Sequence, residues 1–474
     1  MSASAPDAVV VGSGPNGLAA AIELARAGRS VVVYEAATEI GGGTRTDELT
    51  EPGFLHDVCS TVHPLLLASP FFQSLPLDEL GVELAHPEVQ FAHPLDDGTA
   101  VEVHRSVERT AAAFGRDSRA YIRLMRPLVD RVGDLMEATL GPFQLPKHPL
   151  LMARFGLNAI RSAEGLAKRF HTTQPRSLIA GAAAHSMLPL DRSPTAGVAM
   201  VLVLLAHAMG WPVVRGGSGR IAEGMASYLT SLGGQIVTDT PIAALEELPE
   251  ARAVLFDLTP KQIVEIAGRR LPARYVKALR RYRYGAGVFK IDWALNEPVP
   301  WRAEACRRAG TVHIGGTLEE ITAAEATMGR GEHAPAPYVL LAQQSVADPS
   351  RAPEGKQTLW AYCHVPSGST KDMTLEIESQ IERFAPGFRD VIAARATSNA
   401  QEIEAYNANY VGGDINGGMQ DLWQHFTRPV ARWSPYTTPD DGIYICSSAT
   451  PPGGGVHGMC GYHAARAALK KALR

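Results

Sequence analysis

An apolar run, Ala8–Val11, ends in Gly12-Ser13-Gly14-Pro15-Asn16-Gly17, and a second run, Ser30–Tyr34, ends in Glu35. A helical stretch, Leu18–Ala27, lies between them and is closed by Gly28. Strand, glycine turn, helix, strand and carboxylate in this order leave few options: the start of the chain is a βαβ unit whose turn grips a dinucleotide. Gly12 permits the tight turn, Gly14 lets a pyrophosphate approach the backbone, and Gly17 lets the helix pack closely on the strand. The helix N-terminus, with Pro15 and Asn16 in its first turn, presents N–H groups to phosphate. Glu35 follows Gly17 by 18 residues, close to the roughly 20 expected for the acid that accepts a ribose hydroxyl.

Gly41-Gly42-Gly43-Thr44-Arg45 comes next. Such a loop can fold over a bulky cofactor, with Arg45 available to pair with a pyrophosphate. At the other end, a strand-like Gly442–Cys446 leads into Ser447-Ser448-Ala449-Thr450-Pro451-Pro452-Gly453-Gly454-Gly455-Val456-His457-Gly458, then a helical stretch, Ala464–Leu473. The first segment resembles the start of FAD-dependent oxidoreductases. With the C-terminal element, the chain resembles the carotenoid (phytoene) desaturase branch of the flavin amine oxidase superfamily.

That resemblance implies FAD, held by Gly12, Gly14, Pro15, Asn16, Gly17, Glu35, Gly42, Gly43 and Arg45, by Ile242 near the adenine end, and by Gly455, Val456 and His457 in the C-terminal loop. The turn Ser447-Ser448-Ala449 departs from the family's Gly-Ala-Gly or Gly-Asp. Gly216-Gly217, the helical Ile221–Leu232 and a following strand are similar to the family's return to the FAD domain, while the usual hairpin is trimmed to Ala243–Arg252.

The fold expected is α/β: a Rossmann-like FAD-binding domain assembled from discontinuous segments, 1–74, 206–289 and 421–474, with an α+β substrate domain of a mixed sheet and helices from 75–205 and 290–420. Arg116–Leu140 and Leu150–Phe170 have helical apolar spacing, and Thr195–Gly210 is apolar enough for a buried helix but short for a membrane span. Val288–Trp293, Val339–Gln343 and Thr358–His364 alternate as strands flooring a pocket.

A net charge of −4 and the lack of a basic cluster argue against a nucleic-acid partner. The five cysteines have no CxxC spacing, which excludes a redox dithiol and a cysteine zinc site, and no metal is expected. Scattered cysteines fit a reducing compartment, and Met1–Pro6 lacks a leader's basic start, so a cytoplasmic location is expected. Arg154, Arg161, Lys168 and Arg169 on an apolar stretch read as a solvated face, with a peripheral membrane contact as the alternative.

The expected reaction is dehydrogenation of a C–C bond in a hydrophobic, isoprenoid-like small molecule by hydride transfer to flavin. The alternatives are oxidation of an amine C–N bond and a flavoprotein with a structural or partner-binding role. His56 and His63, which follow the glycine loop, and His457 are the candidate acids or bases. No second nucleotide motif accompanies them, so oxygen, a quinone or another carrier would reoxidise the flavin.

Overall fold

The strand Ala8–Val11 lies at the centre of a five-stranded sheet in the order Ile443–Ile445, Ala253–Phe256, Ala8–Val11, Val31–Tyr34, Gln235–Val237. Every pairing in it is parallel. The computed structural model describes residues 5–142 and 145–474, so Met1–Ser4, part of the segment read for a leader, lies outside them. Ala8–Val11 is buried throughout, as a parallel strand covered on both faces must be. The helices Pro15–Arg26, Gly219–Ser231 and Met459–Lys470 pack together on one face. Val9, Val11 and Phe256 meet Ile263, Leu271 and Leu279 on the other.

A second sheet of seven strands runs Ile392–Ser398, Gly287–Leu295, Gln357–Val365, Val339–Ala342, Ala309–Ile314, Val89–Pro94, Ala100–Val103. Its pairs are antiparallel except Ala309–Ile314 against Val89–Pro94. The strand Gly287–Leu295 is buried along its length and belongs to this sheet from Gly287 onward, so the change of sheet precedes the boundary expected at 289.

Three helical expectations are corrected. Arg116–Leu140 is two α-helices, Ser118–Val129 with Pro127 in its last turn and Val132–Thr139, preceded by a 3-10 stretch. Leu150–Phe170 divides into Pro149–Ala159 and Ala163–Ala167, because Ser162 starts a new helix by accepting the Gly165 N–H at 3.0 Å. The terminal helix begins at Met459, five residues before the expected Ala464, since Gly458 turns the chain at φ +67°. Thr195–Ala208 is the buried helix expected, and His207 is satisfied within it: Nδ1 donates to His104 O and Nε2 accepts from Tyr121 OH, both at 2.7 Å. Among the described residues no helix is long and apolar enough to cross a membrane.

Candidate active site

A groove of about 710 Å³ opens between the ends of the parallel strands and the face of the mixed sheet. Gly12, at φ +101°, donates its N–H to Tyr34 O at 2.8 Å and turns the chain from strand to helix. A Cβ on Gly17 would lie 2.1 Å from Gly12 O, so only glycine lets the helix sit this close. Gly14 caps that helix without a side chain, and Pro15 opens its first turn. The positive end of the helix thus faces the groove.

Glu35 closes the second strand beside this turn. One carboxylate oxygen accepts from Ser13 N–H at 2.9 Å and Ser13 Oγ at 2.6 Å. The other accepts from Ala37 N–H at 3.0 Å and stands 3.6 Å from the Arg45 guanidinium. Arg45 spends its own N–H groups on Ile40 O and Glu39 O and lies over the Tyr406 ring, 5.3 Å from its centre. It therefore clamps the glycine loop and pairs with Glu35, where the sequence suggested a pyrophosphate partner. Tyr406 OH donates to Gly42 O at 3.0 Å from the opposite wall.

Gly12, Gly14, Pro15, Asn16, Glu35, Gly42, Gly43, Arg45, Ile242, Gly455 and Val456 all line this one groove, although they come from three distant stretches of chain. Gly17 and His457 do not line it. The fit to a dinucleotide has a direct sign: Asn16 Oδ1 is buried in the lining with no hydrogen-bond partner, as an atom kept for a ligand would be. Bound there, FAD would have the glycine turn for its pyrophosphate and Glu35 for its ribose.

The three histidines read as acids or bases are placed elsewhere. His56 Nε2 bonds Thr50 Oγ1 at 2.8 Å, and His63 Nε2 bonds Ser218 Oγ at 2.8 Å. His457 Nδ1 accepts from Met459 N–H at 3.0 Å, and its Nε2 donates to Gly453 O at 3.1 Å. None lines the groove. Burial lowers their pKa values, to about 3 for His56 and about 4 for His63 and His457. They hold loops in place. Tyr282 and Tyr284, from an aromatic cluster, likewise bond Gly417 O and Thr259 Oγ1 away from the groove.

Asp257 was not singled out from sequence. It follows the third parallel strand, lines the groove and accepts the Gly17 N–H at 2.8 Å. Burial raises its pKa to about 7; that N–H opposes the shift and the charge on Glu35 adds to it. The far half of the groove was also missed in detail. Trp360 and Tyr362 stack there at 5.6 Å and 15°, flanked by Trp211, Leu340, Thr311 and His185. All charged lining residues, Glu35, Arg45 and Asp257, belong to the cofactor half.

Residues 10–71 match the family model described as an NAD(P)-binding Rossmann-like domain. The chain is 28% identical, over 97% of its length and 92% of the relative's, to pyridine nucleotide-disulfide oxidoreductase domain-containing protein 2 of Rattus norvegicus. It is 22% identical to a lycopene-forming phytoene desaturase of a Paracoccus species, over 97% of this chain and 96% of that one. Among solved structures, a putrescine oxidase variant has the same fold, with a TM-score of 0.62, 19% identity and 99% of each chain covered. All five cysteines here are free thiols, and no two of them stand in CxxC spacing.

Proposed function

We propose that this chain is an FAD-dependent oxidoreductase that dehydrogenates a C–C bond of a hydrophobic small molecule. The observation that carries this reading is the neutral substrate half of the groove. Trp211, Trp360, Tyr362 and Leu340 offer π-faces and aliphatic surface to an apolar, conjugated molecule, and no carboxylate stands among them. The likeness to a phytoene desaturase supports the same choice.

FAD, when bound, supplies the hydride acceptor. The protein's part is to orient the substrate and exclude water. The sheet floor does the first, with Trp360 Nε1 donating to Thr61 Oγ1 so that the indole is fixed. The C-terminal loop, Gly454 to Val456, forms part of the groove wall.

Amine oxidation is the second reading, favoured by the Trp360–Tyr362 pair, whose faces can receive a cation, and by the fold shared with putrescine oxidase. Against it, the Trp360 ring already has a cation beside it, the buried Lys290 ammonium 5.7 Å from its centre, and the carboxylate that pairs with that cation, Asp292, does not line the groove. The test is anaerobic reduction of the FAD-loaded protein with phytoene, a retinoid and benzylamine in turn. Bleaching by a polyene or retinoid alone supports C–C chemistry. Bleaching by the amine alone overturns it, and a yellow protein that none of them bleaches turns the reading to a structural flavin.

A further inference from the structure

A Cβ on Gly181, in the helix Thr173–Ala184, would lie 2.9 Å from His93 Nδ1 and 3.0 Å from His313 Nδ1. The bare glycine thus lets the helix rest on two histidines from the neighbouring parallel strands Val89–Pro94 and Ala309–Ile314. Immediately after the helix comes His185, which lines the groove, with Nε2 at 3.0 Å from His313 Nε2. That contact commits Nε2 of His185, whose Nδ1 has no hydrogen-bond partner among the described residues. Behind the pair, His93 Nε2 donates to Gly316 O at 2.6 Å. The Nδ1 atoms of His93 and His313 are both buried and unpartnered, facing the same bare stretch of helix.

Packing alone is a poor account of this arrangement. The surroundings are Phe91, Trp211 and Tyr338, and a phenylalanine in place of either buried imidazole would leave no orphan nitrogen. An unsatisfied buried polar atom costs about 1–3 kcal/mol. Nor do the rings form a metal site: no group of three or more potential ligands gathers among the described residues.

We propose that His185 accepts the substrate's proton and that His313, a positioning residue, shares that proton through the Nε2–Nε2 hydrogen bond. The inference rests on the proposed dehydrogenation. In that reaction one carbon loses a hydride, with its electron pair, to FAD as oxidant. The neighbouring C–H gives its proton to His185 Nδ1, and its electron pair becomes the new C=C π bond.

The hydrogen bond needs one proton between two nitrogens; in the reactive tautomer His185 Nε2–H points at His313, and Nδ1 carries the free lone pair. As Nδ1 takes a proton, the Nε2 proton can shift toward His313, and the charge spreads over two rings. Burial keeps both rings neutral at rest, with the pKa of His185 near 3 and that of His313 well below the ordinary value. The charged or titratable groups around the pair are His93, His364 with its partner Glu325 at 2.9 Å, and Glu320 on the His93 side. So weak a base suffices, because a C–H beside a carbon that has given up hydride is strongly acidic.

Two measurements test the dyad. In anaerobic stopped-flow with phytoene as the probe, His185→Ala should keep its FAD content and substrate affinity but reduce its flavin about 10²–10⁴-fold more slowly. Added imidazole should restore part of that rate, and His313→Phe should show a smaller loss. Independently of turnover, ¹⁵N-histidine NMR of the FAD-loaded protein near neutral pH should show one proton coupled to Nε2 of both rings, and its loss in His313→Phe. Wild-type reduction rates in His185→Ala overturn the proposal while leaving the dehydrogenation reading intact. If phytoene, the retinoid and benzylamine all fail to reduce the wild type, that reading falls, and the NMR signal then decides alone whether the shared proton exists. Its absence overturns the dyad.

Discussion

Glu35 and Asp257 are two carboxylates beside one glycine turn, and their surroundings give them opposite tasks. Glu35 is fixed by Ser13 and Ala37 N–H groups and by Arg45, which hold its two oxygens in place as acceptors. Glu35→Ala should therefore weaken FAD binding on the order of 10–100-fold, the scale of one hydrogen bond to a charged group; unchanged affinity in a fluorescence titration would place the ribose contact elsewhere. Asp257 is buried with a single N–H partner, and its pKa is pushed up to about 7. Since the folded value lies above the unfolded one, the native state holds the extra proton between about pH 4 and pH 7. Its stabilisation is complete below that window and lost as pH rises through it. Asp257→Asn should consequently match the wild-type melting temperature near pH 4 and exceed it above pH 7. The variant should also keep FAD at high pH better than the wild type, because an ionised Asp257 repels a pyrophosphate at the turn. A constant difference in melting temperature across that range would refute the titration argument.

Elements whose signal is local were legible in the chain. The first strand, turn, helix and second strand follow one another without long-range help, and the buried strands Gly287–Leu295 and Gln357–Val365 announce themselves by composition. Element ends set by tertiary contact were not. The terminal helix starts at the Gly458 turn, and Gly461 in its first turn lies against the first helix, where a Cβ would stand 1.8 Å from Asn16 O. His185 ends an unremarkable helix, and its partner lies 128 residues away on another strand, so no spacing could have linked them. His56, His63 and His457 misled for the opposite reason: they are near the cofactor loops in sequence, but their rings turn inward to hold those loops. The helix contact makes its own prediction. Gly461→Ala should destabilise the protein by about 1–3 kcal/mol through overpacking. Because the displaced helix carries the loop of Gly455 with it, FAD content should fall as well. A variant with wild-type melting temperature and full FAD would show that the two helices yield without cost.

At the scale of the whole molecule, stretches of chain far apart in sequence are joined by a buried ion network as well as by the groove. Arg351 donates from Nη2 to Asp57 Oδ2 and Val214 O, both at 3.0 Å, and from Nε to Asp348 Oδ2 at 3.1 Å. Asp57 accepts the Ser218 N–H at 2.8 Å, and Asp348 accepts the Gly216 N–H at 2.7 Å. Three separate stretches of chain therefore meet at one guanidinium, and all three charged side chains are fully buried. Removing the cation alone leaves two buried carboxylates, Asp57 without a cationic partner and Asp348 with only half-exposed Arg215 at 3.7 Å. Arg351→Met should accordingly cost about 3–5 kcal/mol, read as a lower denaturant midpoint. Adding Asp57→Asn and Asp348→Asn to that variant should recover much of the loss, because the neutral set carries no uncompensated charge. The network also sets a pH response. Burial pushes the Asp57 carboxyl up, yet the Arg351 charge and the Ser218 N–H outweigh it and hold the group below its ordinary value. Stability from this group is therefore present above about pH 4, the unfolded value, and is lost as acid protonates the native carboxylate. Acid unfolding should be shallower in the neutral triple variant than in the wild type. Equal acid sensitivity in the two would mean that these three stretches are held together by their apolar contacts and that the ion network adds no acid-labile stability.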